Sequence, residues 1–167
     1  MESVSASIPS FVGSWKLYFH DPSNPNWQEK DYILLATISS WETYWHVMNA
    51  FTDSQFEQGG LFLMKEGYPP LYEHYVNKKG GTYQIQISAT DEYRKIFEIY
   101  SIAMIQELIS KDSKNKLIGV SIALKRGFYI LKLWNIDAKE FTRIEDIHNY
   151  AKATSSILYE PNISKSW

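Results

Sequence analysis

The order in which strand-like and helix-like segments follow one another restricts this chain more than any other feature. Trp15-Lys16-Leu17-Tyr18-Phe19 alternates like a half-buried strand, and Tyr32 to Ile38 reads as a second. Leu61 to Met64, a stretch around Glu73-His74-Tyr75, Thr82 to Ile87, Leu117 to Leu124 and Phe128 to Asn135 complete the strand signals. A capping box, Ser39-Ser40-Trp41-Glu42, predicts a helix running to about Phe51. A second helix is predicted from about Asp91 to Ser110, where Tyr93, Ile96, Phe97, Tyr100, Met104 and Leu108 keep helical spacing. Thr142-Arg143-Ile144-Glu145 predicts a third, with Ile144, Ile147, Ala151 and Ile157 on one side. The resulting order, β-β-α-β-β-β-α-β-β-α, lacks the strict alternation that a parallel sheet requires. It predicts an α+β fold: one curved antiparallel sheet backed on its convex face by three helices, with a cleft on the concave side.

The chain has 167 residues, about one domain. Residues 1–10 and 161–167 are polar and read as tails, a flexible one at the N-terminus, leaving one domain over residues 11–160. Asp21-Pro22-Ser23-Asn24-Pro25-Asn26 is a loop on turn chemistry alone, and Asn77-Lys78-Lys79-Gly80-Gly81 reads as a hairpin connection. No apolar run is long enough for a membrane-spanning helix, so no membrane association is expected. Met1-Glu2-Ser3-Val4-Ser5 lacks the positive and apolar segments of a secretory signal, so a cytoplasmic setting is expected.

Zero cysteines exclude disulfides, thiolate nucleophiles and cysteine-ligated metals. The four histidines have no metal-binding spacing, and no nucleophile elbow, phosphate-cradling glycine loop or dinucleotide fingerprint is present. A non-enzymatic protein without metal or cofactor is expected. With 17 basic and 19 acidic residues the net charge is −2, so any nucleic-acid recognition must be local.

The aromatic residues are more informative: 6 Trp, 12 Tyr and 8 Phe, several among polar neighbours. Trp27 lies in a loop, either as a plug folded back or as an exposed binding ring. Tyr72-Glu73 follows Gly67-Tyr68-Pro69-Pro70, a rigid turn that holds the tyrosine at a loop exit, unless it merely starts a strand. Trp41 and Trp45 lie one helical turn apart and widen the apolar stripe of their helix. Either that helix is sandwiched, or the two indoles form a patch for a partner helix. Lys125 and Arg126 occupy a hairpin tip with Lys132 on the returning strand. Such a basic turn beside an aromatic slot suits a short phosphate chain.

At these residues the chain resembles the eukaryotic translation initiation factor 4E family, whose members bind the 7-methylguanosine cap of messenger RNA. The resemblance runs through Ser14-Trp15-Lys16-Leu17-Tyr18-Phe19, Trp27-Gln28, Trp41-Glu42-Thr43-Tyr44-Trp45 and Glu66-Gly67-Tyr68-Pro69-Pro70-Leu71-Tyr72-Glu73. Asn77-Lys78-Lys79-Gly80-Gly81 and the segment from Gly119 to Trp134 complete it, over about residues 11 to 160. The resemblance implies that Trp27 and Tyr72 sandwich the methylated guanine and that Glu73 accepts its N1 and N2 hydrogens. It further implies that Trp134 packs on the N7 methyl and Lys125 grips the cap phosphates, with Arg126 and Lys132 as substitutes for two basic positions that hold Gly127 and Ile130 here. Tyr72 stands where the family has tryptophan and Thr82 where it has arginine. The chain is expected to lack the family's C-terminal strand and mobile loop.

On the helical side the resemblance implies that Trp45, with Trp41 and Ile102, docks the helical motif of a scaffold protein like factor 4G or of a 4E-binding repressor. The implied partners are therefore the capped 5′ end of messenger RNA and one such protein, bound by a monomer. Two rivals remain at this stage: a cap-binding repressor or decoy without productive scaffold binding, and a small-ligand module, such as one for carbohydrate, using the same aromatics.

Overall fold

The computed structural model describes residues 10–89, 92–150 and 156–163. Its strands are β1 (Trp15–His20), β2 (Ile33–Ile38), β3 (Gly60–Lys65), β4 (Gly81–Ser88), β5 (Leu117–Leu124), β6 (Phe128–Asn135) and β7 (Ile157–Pro161). They form one sheet in the order β2-β1-β3-β5-β6-β4-β7, every pairing antiparallel. Three helices accompany it: α1 (Trp41–Asn49), α2 (Asp53–Phe56) and α3 (Tyr93–Ile105). The expected α+β architecture is observed.

Residues directly opposite in antiparallel strands share a face, so the register separates two rows. Leu17, Leu63, Val120, Leu133, Tyr83 and Tyr159 follow one another across six strands. These join Tyr44 and Met48 of α1 and Phe97, Tyr100 and Met104 of α3 in the main core, or pack against it. On the opposite face Tyr18, Phe62, Ser121, Lys132 and Gln84 are aligned, and Met64, Gly119, Trp134, Thr82 and Glu160 form the next row. This face has only a small apolar cluster of Phe62, Met64, Ile118 and Trp134, fringed by Tyr18, Tyr32, Tyr68 and Tyr72. A Cβ on Gly119 would meet the Met64 sulfur at 2.4 Å, so glycine leaves the room that Met64 occupies.

A buried polar network ties the end of the sheet together. Asn135 Oδ1 accepts from Gly81 N (3.1 Å) and the Tyr159 hydroxyl (2.7 Å), while its Nδ2 donates to Asn115 Oδ1 (3.0 Å) and Phe141 O (2.9 Å). Asn115 in turn donates to the Tyr83 hydroxyl.

Several local expectations are corrected. The segment around Glu73-His74-Tyr75 is not a strand but a series of turns, so Asn77–Gly81 does not close a hairpin. Asn77 folds it back, its Nδ2 donating to Pro69 O (2.6 Å) and Leu71 O (2.8 Å). The capping box at Thr142–Glu145 yields only a 3-10 turn, Ile144–Asp146. Beyond it Ile147 bridges to Ser110 and His148 N donates to Ile109 O, pairing that replaces helical bonds. Ala151 lies outside the described residues, and Ile157 belongs to β7. That strand pairs with β4, where the sequence predicts the end of a helix. The cap of α1 is Ser40, whose Oγ accepts Thr43 N, one residue beyond the expected box. Helix α2 was not foreseen, although Thr52 and Gln55 form a reciprocal capping box at its start.

Candidate functional site

Trp27 stands on a loop whose shape is set by short polar side chains. Asp21 Oδ1 accepts from Ser23 N (2.9 Å), Asn24 Oδ1 from Asn26 N (2.9 Å), and Asp31 Oδ2 from Gln28 N (2.9 Å). Asn24 also reaches across to Asp31. These local bonds substitute for secondary structure. The indole is stacked on His20, centroids 3.6 Å apart and planes 3° from parallel, yet remains 53% exposed. The ring is packed on one side and open to solvent on the other.

A run of aromatic rings leads inward from Trp27 along the helix-free face. Tyr32 meets Trp27 edge-on at 6.1 Å and Phe62 at 5.3 Å, and Phe62 meets Trp134 at 6.5 Å. At the far end Tyr72 lies flat on Trp134, 4.7 Å between centroids. Trp134 is wholly buried and its Nε1 donates to Ser121 Oγ (3.1 Å). Lys132 Nζ donates to the Tyr72 hydroxyl and lies 5.0 Å from the centre of that ring. The structure thus brings Tyr72, Trp134 and Lys132 together and places Trp27 with His20 at the other end of the run. Tyr72 covers one face of the Trp134 indole.

Electrostatics follow from this packing. Burial pushes the Tyr72 phenol up to about 12, with Glu160 and Glu73 adding to the effect. Burial also raises Tyr32, and the charges of Tyr72 and Glu73 add to the effect. Burial lowers the Lys132 ammonium, partly offset by Glu160, whose carboxylate is held by Gln84 Nε2 (3.1 Å). Lys125 is lowered by burial and by the charge of Lys132. Lys125 and Arg126 sit exposed at the β5–β6 turn, which Gly127 closes at φ 82°. Lys132 lies on the helix-free face, and Lys125 is close enough to feel its charge. Among the described residues no group of three or more His, Asp or Glu could hold a metal ion.

The helical side holds the other candidate surface. Trp45 meets Tyr44 edge-on at 5.0 Å and is 39% exposed. Trp41 is half-buried between Phe11 (4.9 Å) and Tyr44 (5.7 Å). The widened stripe therefore divides: Trp41 packs onto the core while Trp45 faces outward. Ile102 of α3 is half-buried next to Ser101, whose hydroxyl bonds that of Tyr44 and so joins α3 to α1. Among the described residues no helix is long and apolar enough to cross a membrane.

His20, Tyr32, Gln84 and Glu160 were not singled out in the sequence. The alternation of β1 puts His20 on the same face as Tyr18, a legible signal. The contribution of Glu160 depends on β7, whose first residue, Ile157, was expected on a helix.

The family model described as Eukaryotic initiation factor 4E matches residues 10–164. Eukaryotic translation initiation factor 4E of Candida albicans is 26% identical over 137 residues, 75% of this chain and 64% of that protein, so the match spans under two thirds of the relative. Among solved structures, Ascaris suum eIF4E-3 with m7G cap superposes with a TM-score of 0.69 at 18% identity, over 79% of this chain and 76% of that one. Schistosome eIF4E complexed with m7GpppG and 4E-BP gives 0.68 at 18% identity, over 77% and 72%.

Proposed function

Because the chain belongs to the eukaryotic initiation factor 4E family, we propose that it binds the 7-methylguanosine cap of messenger RNA on the helix-free face of its sheet. Methylation at N7 makes the base a cation, so a ring stacked on it gains cation–π attraction beyond stacking. Trp27 supplies one such ring. Tyr72 supplies the second by leaving Trp134, and that movement opens Trp134 to the N7 methyl. The Glu73 carboxylate accepts from N1 and N2 of guanine, a pairing that adenine lacks. Lys125, Arg126 and Lys132 take the phosphates as charge-assisted donors. The role is binding, with no chemical step, in the cytoplasm.

The single observation that carries this reading is Trp27: a loop indole fixed by its neighbours, stacked on one side and more than half exposed. Stacking of a base on such a ring contributes about 1–3 kcal/mol. On the helical side Trp45, with Trp41 and Ile102, docks a helical segment of a scaffold protein that promotes initiation. In this account residues 11–160 are the cap-binding domain, between the tails 1–10 and 161–167, and act as a monomer.

Retention on a resin carrying 7-methylguanosine triphosphate tests the assignment. The wild-type chain is expected to bind and to elute with the free methylated nucleotide but not with guanosine triphosphate. Glu73→Ala, an exposed position, is expected to pass through with its melting temperature preserved. Wild-type-like retention of that variant contradicts the assignment of Glu73.

A further inference from the structure

We infer that Asn77 is the positioning residue for Glu73, and that through it the chain selects a methylated purine carrying the 2-amino group of guanine. The inference rests on the proposed contact of Glu73 with N1 and N2 of the base. Tyr72 and Glu73 lie between Leu71 and Asn77, a stretch of turns with neither strand nor helix to hold it. One carboxamide closes that stretch. Asn77 Nδ2 donates to Pro69 O (2.6 Å) and to Leu71 O (2.8 Å), the carbonyls on the two sides of Pro70 and immediately before Tyr72. A carbonyl only accepts, so the amide nitrogen must be the atom that faces them. This orientation leaves Asn77 Oδ1 buried without a hydrogen-bond partner among the described residues, on a residue 1% exposed. A buried acceptor without a partner destabilises a fold, so the two bonds to the turn outweigh that loss.

Asn77 is itself fixed to the sheet. Its backbone N–H donates to His74 O (2.8 Å), and its carbonyl accepts from Gly80 N and Asn162 Nδ2, both at 2.8 Å. Asn162 N in turn donates to Gly80 O (2.9 Å), just past the end of β7. Gly80 lies against the end of β6, where a Cβ would meet Asn135 O at 1.9 Å. A continuous set of contacts therefore runs from β6 and β7 through Asn77 to Leu71. The Glu73 side chain is exposed, so its aim at a base is set by the backbone that carries it. A carboxylate meeting two adjacent donors tolerates little displacement. Trp27 stands on a separate loop and keeps its attraction for the cationic base when this one loosens. Loosening the Asn77 closure is therefore expected to reduce selectivity for the 2-amino group while sparing the preference for the methylated base.

Fluorescence titration with the triphosphates of 7-methylguanosine, 7-methylinosine and guanosine tests this on the wild type, Asn77→Ala and Asn162→Ala. 7-Methylinosine keeps the N7 methyl and lacks the 2-amino group, and its own ionisation is common to all three proteins. Wild type is expected to prefer 7-methylguanosine over 7-methylinosine by about tenfold or more, the effect of one hydrogen bond to a charged acceptor. In Asn77→Ala that preference is expected to fall to about threefold or less, while the preference for methylated over unmethylated guanine changes by less than about twofold. Asn162→Ala, at a partly exposed position, removes one bond behind Asn77 and is expected to give an intermediate preference. Melting curves establish that each variant is folded, and Asn162→Ala decides alone where Asn77→Ala does not fold. A wild-type-like ratio between the two methylated nucleotides in the deciding variant overturns the inference, even if all three nucleotides bind it more weakly, because a merely structural role weakens them alike. Absence of wild-type binding to 7-methylguanosine triphosphate overturns the cap-binding reading and this inference with it. Wild-type binding without preference between the two methylated nucleotides overturns this inference and leaves the stacking of the methylated base standing.

Discussion

Tyr72 lies on Trp134 with ring planes 5° from parallel, and its hydroxyl accepts a hydrogen bond from Lys132. A tryptophan at position 72 would have no oxygen to offer that lysine. The tyrosine is therefore secured in the closed position by a contact that its indole counterpart lacks. Opening it sacrifices a stacked pair worth about 0.5–1.5 kcal/mol and a hydrogen bond to a charged group worth about 1.5–3 kcal/mol. Apparent affinity falls in proportion to the fraction of molecules in the open state.

Tyr72→Phe removes the hydroxyl and keeps a stacking ring, while releasing Lys132 toward the phosphates. It is expected to bind 7-methylguanosine triphosphate about threefold or more tighter than wild type, because the closed state loses its charge-assisted bond. Tyr72→Ala is expected to bind about tenfold or more weakly, having lost the second ring. Calorimetry on both variants checks the pair, and equal weakening in the two contradicts the latch.

Trp45→Ala is expected to spare nucleotide binding and to remove binding of a helical peptide from a scaffold protein. The indole is partly exposed on α1 and stands away from the helix-free face. Peptide binding by fluorescence anisotropy, alongside cap-resin retention, separates the two faces. Loss of both activities would mark Trp45 as part of the core, and retained peptide binding would move the docking surface elsewhere.

Asn135→Ala is expected to destabilise the fold by about 2–4 kcal/mol in chemical denaturation, because it strands several buried partners at once. Gly81 N and the Tyr159 hydroxyl lose their acceptor, and Asn115 Oδ1 and Phe141 O lose a donor. A change below about 0.5 kcal/mol, the range of ordinary surface substitutions, would mean that water replaces the network.

Alkaline pH gives an independent check on burial. Tyr32, Tyr44, Tyr72 and Tyr159 are all raised by burial, Tyr72 to about 12. A group that holds its proton more tightly when folded stabilises the protein fully below its unfolded value, near 10, and loses that contribution as the pH climbs through the folded value. Lys132, lowered by burial, works in the opposite direction over a neighbouring range. Stability is expected to fall steeply from about pH 10 upward, with part of the tyrosinate absorbance appearing only on unfolding. A single smooth titration of all twelve tyrosines near pH 10 with the fold intact contradicts the burial of these rings.

The strands were legible where one face is buried and the other is not, because the period of two then survives in the sequence. Tyr83, Ile85 and Ile87 alternating with Gln84 and Gln86 is such a case. Two readings failed for tertiary reasons. Thr142-Arg143-Ile144-Glu145 carries a genuine helix-start pattern, but pairing of Ile147 with Ser110 draws the chain away after one turn. The stretch after Pro70 reads as a strand until Asn77 gathers the carbonyls of Pro69 and Leu71, a contact that no local pattern announces.

The candidate site divides in the same way. Trp27, Tyr72 and Lys132 stand out by residue type and motif. Their arrangement does not: His20 reaches Trp27 only because the intervening loop doubles back, and Glu160 joins the face only because β7 adds to β4. Sequence indicated the residues, and the packing determined which of them meet.

Intrinsic tryptophan fluorescence during titration with 7-methylguanosine triphosphate, and separately with guanosine triphosphate, probes the shared premise that Trp27 stacks on a cationic base. The account expects saturable quenching by the methylated nucleotide, at least tenfold weaker binding of the unmethylated one, and loss of most quenching in Trp27→Ala. Equal affinity for the two nucleotides, or undiminished quenching without Trp27, would contradict it.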